Sequence, residues 1–101
     1  MSASEESSQN AEFNPYRVWL GIPANKLPAD HYSLLGLETY ESDPDVIESA
    51  ADKVMAFVKT FQNGKYSKQS QQLLNEIAAA RVCLLNEKTK AEYDAQLRAS
   101  R

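Results

Sequence analysis

Two apolar stripes at helical spacing, separated by a short polar loop, constrain this chain more than any other feature. Ile47, Ala50, Ala51, Val54, Val58 and Phe61 recur every three or four residues, and Leu73, Leu74, Ile77, Ala80, Leu84 and Leu85 repeat the pattern further on. Asp43-Pro44 supplies an N-cap and a first-turn proline for the first stripe, and Asn63-Gly64 supplies a stop. The spacing predicts helices over about 44–63 and 68–86. With only the loop around Lys65 to Lys68 between them, they must fold back antiparallel, each burying its stripe against the other. Ala78 and Ala79 are expected to let the neighbour approach closely. The fold class that follows is all-α, a long helix hairpin with shorter helices at its flanks.

The flanking segments carry their own signals. Asn14-Pro15 caps and starts a short helix that Gly21 ends, with Tyr16, Trp19 and Leu20 at helical spacing, so Trp19 is read as an anchor on the core. Pro23 and Pro28 bracket an extended link. Asp30 then caps a second short helix, His31 to Leu35, before Gly36. Asn86 caps a last helix over Glu87 to Arg98, whose Tyr93 and Leu97 form a docking face. Residues 1–12 hold three acids, four serines and no large apolar side chain beyond Met1, too little to offset the entropy of ordering, and are expected to be a disordered tail. The chain thus divides into that tail (1–12), a short helix and linker (13–28) and a helical domain (29–98).

Several function classes lack their chemistry. His31 is the only histidine and Cys83 the only cysteine, so a zinc site would need unusual carboxylate ligation and no internal disulfide can form. Cys83 is expected to be a small core residue. Gly21, Gly36 and Gly64 are isolated and make no phosphate loop. Asp45, Glu48 and Asp52 share one helical face and could hold a divalent ion, but no calcium loop accompanies them and they read as a solvated face. No catalytic residues, metal or cofactor are expected.

Charge is divided unevenly. Met1 to Val58 carries ten acids and three bases, a balance of −7, whereas Lys59 to Arg101 carries eight bases and four acids, a balance of +4. Those bases are interspersed with Glu76, Glu87, Glu92 and Asp94, and the isoelectric point is near 5.1, so nucleic-acid binding is not expected. The longest apolar run, Ile77 to Leu85, is interrupted by Arg81 and is about half of what a bilayer span requires. With no basic-apolar leader at the N-terminus, the expected location is the cytoplasm.

Three blocks carry a family resemblance. Asp30-His31-Tyr32-Ser33-Leu34-Leu35-Gly36-Leu37 resembles the D-Y-Y-x-x-L-G-V opening of a J-domain. Asn75-Glu76-Ile77-Ala78-Ala79-Ala80-Arg81-Val82-Cys83-Leu84-Leu85-Asn86 resembles the end of its third helix, and Glu92-Tyr93-Asp94 the Y-D of its fourth. The blocks keep the family's order and, with about one residue of slack in the central loop, its spacing from Asp30 to Leu97, roughly two-thirds of the chain.

The resemblance implies a role in stimulating ATP hydrolysis by a heat-shock chaperone, through a His-Pro-Asp tripeptide after the second helix. Here that position falls on Lys59, Thr60 and Phe61, and no histidine follows His31 and no proline follows Pro44. The family's basic docking face maps to Glu48, Asp52 and Lys53, two of which have the opposite sign. The expected function is therefore a non-catalytic protein–protein interaction module, an adaptor or accessory domain of a larger bacterial protein, with a divergent co-chaperone as the alternative. Tyr16, Trp19, Glu48, Asp52 and Lys53 are the expected partner surface, the partner being a protein of unknown identity rather than the heat-shock chaperone.

Overall fold

A computed structural model describes residues 13–100, all of whose regular structure is helical; the predicted tail, 1–12, lies outside the described residues. Helix α1 spans Pro15–Val18, α2 His31–Leu34, α3 Pro44–Lys59, α4 Ser67–Leu84 and α5 Glu87–Ala99. Four of the five begin with the side-chain cap their sequence announces. The oxygens of Asn14, Asp30, Asp43 and Asn86 accept from backbone N–H groups one turn inside each helix, each cap contributing about 1 kcal/mol. Gly36 ends α2 at φ +72°, a left-handed conformation in which the Leu37 N–H reaches back to the Tyr32 carbonyl at 2.8 Å.

The hairpin of α3 and α4 holds the core. Ile47, Ala51 and Val58 of α3 are buried against Leu73, Leu74, Ile77, Ala80 and Leu84 of α4, and Tyr32, Leu34 and Leu35 close one side. Ala51 and Ala80 are fully buried and are the small residues that let the helices approach. Ala78 is only half-buried and Ala79 is exposed, contrary to expectation: both lie beside Val82 and Cys83 on the outer face of α4. Cys83 is half-buried rather than a core residue, its Sγ directed at the Thr89 carbonyl.

Both long helices are shorter than their stripes imply. The first ends at Lys59, not at residue 63, because the next N–H groups turn tightly: Thr60 to the Phe57 carbonyl, Phe61 to Val58 and Gln62 to Lys59, each at 3.1 Å. Thr60 Oγ1 adds a bond to the Phe57 carbonyl at 2.7 Å. Phe61 thereby leaves the stripe and stacks on Trp19, centroids 4.1 Å apart and planes 11° from parallel. Gly64 is not at positive φ and does not end the helix. The second helix starts at Ser67, where the buried Ser70 hydroxyl donates to the Val58 carbonyl at 2.8 Å, and ends at Leu84 rather than at 86. The link between Pro23 and Pro28 contains a 3₁₀ turn over Ala24–Lys26 and a cis Leu27–Pro28 bond.

A polar clamp joins α2 to α5. Fully buried Tyr32 donates its hydroxyl to Asp94 Oδ1, and Lys90 Nζ reaches Asp94 Oδ2 at 2.8 Å while lying 5.6 Å from the Tyr32 ring centre. Beside it the His31 ring stacks on Tyr93 at 4.2 Å, and the His31 backbone N–H donates to the Tyr93 hydroxyl at 2.9 Å. Burial raises the Asp94 carboxyl, but the hydrogen bonds from Lys90 and Tyr32, with the charges of Lys90 and Arg98, outweigh it and leave the group below its ordinary value. Burial lowers the His31 imidazole, against an opposing pull from Asp30.

Both shifts are downward, so each contribution to stability is complete above the unfolded value and is lost as pH falls through the folded one. Urea midpoints should therefore begin to fall below about pH 6.5 through His31 and fall again below about pH 3.9 through Asp94. His31→Gln should remove the first decline and leave the second; a first decline that persists in this variant refutes the assignment.

Candidate functional site

The arc of apolar positions on α3 is too wide for one neighbour. At about 100° per residue, Ile47, Ala51 and Val58 point to α4, while Val46, Ala50 and Phe57 point roughly 100° away. Val46 and Phe57 keep 42% and 46% of their surface exposed, so this second face is only partly covered. Val54 lies between the two arcs and is half-buried.

The second face is the floor of a groove of about 670 Å³. Trp19 and Leu20, just past α1, form part of the opposite wall, and Leu34 to Leu37 at the end of α2 form the rest. The wall follows from two left-handed glycines: Gly21 turns the chain after Leu20 and Gly36 turns it after Leu35, leaving both segments against α3. Trp19 is fixed from behind by Phe61, by the edge of Phe13 at 5.5 Å and by Tyr66 at 6.3 Å, while Phe13 stacks on Tyr66 at 3.8 Å. An apolar trough with rigid aromatic edges and polar residues on its rim is the shape that accepts an amphipathic helix.

The residues expected at a partner surface separate into two groups. Trp19 and Lys53 line the groove, together with Asp45 and Ser49. Glu48 turns instead to α4, where its carboxylate pairs with Arg81 at 3.0 Å, and Asp52 is exposed outside the groove. Tyr16 is half-buried under α4, its hydroxyl donating to Glu76 Oε1 at 2.7 Å; burial, then the hydrogen bond and charge of Glu76, push its pKa up to about 12. Of the three residues at the tripeptide position, Lys59 and Thr60 are exposed at the end of α3, and Phe61 is packed under Trp19.

Val46, Ser49, Ala50, Val54 and Phe57 line the groove without having been expected to do so. Four of them carry a signal in the surplus of apolar positions on α3: Ala50 and Val54 also fit the α4-facing stripe, whereas Val46 and Phe57 fit no stripe, and Ser49 carries none. Among the described residues no group of His, Cys, Asp and Glu is arranged to hold a metal ion, and no helix is long and apolar enough to cross a membrane. The Cys83 thiol is raised by burial, only partly offset by its hydrogen bond to Thr89. Comparison of the chain with protein-family models, with curated proteins and with solved structures finds no match in any of the three.

Proposed function

We propose that this chain is a non-catalytic protein-interaction module that takes an amphipathic helix into the groove between α3 and the Trp19–Leu37 wall. The observation that carries the reading is the second apolar face of α3, left partly exposed beside a preformed wall. In this reading the hairpin is a degenerate J-type scaffold, serving as an adaptor or accessory domain of a larger bacterial protein. Lys59, Thr60 and Phe61 then end α3 and support Trp19 rather than acting on an ATPase.

Selection from a displayed library of helical peptides tests it. Selected helices should bind the wild type and lose about a hundredfold or more in affinity on Ala50→Arg, which sets a buried charge across the groove floor. Glu48→Ala, outside the groove, should leave affinity unchanged. A library that yields no binder, or binders indifferent to Ala50→Arg, removes the groove from the proposal. Acceleration of ATP hydrolysis by a heat-shock ATPase in a single-turnover assay would instead return the chain to the co-chaperones.

A further inference from the structure

The rim of the groove carries its own complement. Asp45, Ser49 and Lys53 form a polar row along α3 at four-residue spacing, and Val46, Ala50 and Val54 form an apolar row one residue on. Each row is centred on a small residue, and its ends lie about 12 Å apart at a rise of about 1.5 Å per residue. Among the described residues neither Asp45 nor Lys53 has an ion-pair partner, whereas Glu48 on the same helix does.

We infer that the groove is filled by α3 of a second copy of this chain, laid antiparallel about a two-fold axis through Ser49 and Ala50. An antiparallel two-fold pairing brings the same flank of each helix together, so polar row meets polar row and apolar row meets apolar row. Asp45 then faces Lys53 of the other copy, twice, and Val46 faces Val54, also twice. Ser49 and Ala50 on the axis are small enough for the two backbones to approach. A parallel pairing would set each row against the unlike row and lose both matches. The chain's own residues 1–12 are a poor occupant, since they contain no large apolar side chain beyond Met1 to place on the groove floor.

This inference rests on the groove being a docking surface and names its occupant. Sedimentation equilibrium of the full chain, from micromolar to millimolar, should show a monomer–dimer equilibrium. Asp45→Lys alone sets lysine against lysine, and Lys53→Asp alone sets aspartate against aspartate, so each should weaken the dimer by about tenfold or more. Mixing the two variants in equal amounts restores opposite charges at both contacts, and the one-to-one heterodimer should regain wild-type affinity. Recovery on mixing also shows that both variants are folded.

A wild type that stays monomeric throughout, or single reversals that dimerise as well as the wild type, overturns self-pairing. If library-selected helices still bind a monomeric wild type and lose binding on Ala50→Arg, the groove stands and only its occupant is wrong. If neither helices nor a second copy bind, both readings fall.

Discussion

Replacing Asp94 by alanine is expected to lower the unfolding free energy by about 3 kcal/mol, because it leaves a largely covered ammonium and a buried hydroxyl without their shared acceptor. The side chains of Lys90 and Asp94 are 17% and 10% exposed, so water cannot readily replace the lost carboxylate. Against a total of about 5–15 kcal/mol for an ordinary domain, that is a large share. Asp94→Asn should cost less, since its amide oxygen still accepts from Tyr32. Replacing both partners, Lys90→Met with Asp94→Leu, should recover only the part of the loss that comes from the unpaired charge, because the buried Tyr32 hydroxyl still lacks its acceptor. Urea denaturation of the three variants provides the measurement, and a loss under about 1 kcal/mol for Asp94→Ala would contradict the burial described above.

Ile77→Ala is expected to be comparably severe, at about 2–5 kcal/mol. Ile77 is fully buried on the α3-facing side of α4, where a cavity cannot be filled without moving the helices. The control lies on the same helix: Val82, at 67% exposure, should tolerate alanine within about 0.5 kcal/mol. Thermal unfolding of the pair reads out which face of α4 is inside. Equal losses would mean that the hairpin packs through a different face.

Local chemistry was readable in the chain, and contacts between distant segments were not. The four caps at Asn14, Asp30, Asp43 and Asn86 depend on a side chain bonding to backbone one turn away, and each forms as its sequence announces. The end of α3 is hidden in the sequence because Phe61 follows Val58 at helical spacing, although its ring leaves the stripe to stack on Trp19, 42 positions earlier. Tyr40 gave no warning either. It holds φ +69°, where a non-glycine residue is strained by about 1–2 kcal/mol. Its ring lies edge-on to Tyr32 at 6.0 Å and under the Arg98 guanidinium at 4.5 Å, contacts that no window of neighbouring residues reveals.

The site was legible in part for the same reason. Trp19 and Lys53 stand out by residue type, but the groove exists only because the segments that follow α1 and α2 lie across from α3. By sequence alone Glu48 and Asp52 share one exposed surface with Lys53. On the folded helix Glu48 bends to Arg81, so the acidic face is divided between an internal ion pair and open solvent.

The clamp between Tyr32 and Asp94 joins residues 62 positions apart and so closes the intervening chain, with the whole hairpin, into a loop. Tension applied to the backbone on either side of that loop would pass from α2 to α5 through the Tyr32–Asp94 bond and the His31–Tyr93 stack. Because α2 and α5 both also pack on α4, that helix of the hairpin would share the load. A pull that peels Trp19 from Phe61 would open one end of the groove wall while Leu34 to Leu37, tied through α2 to the clamp, kept the rest of it in place.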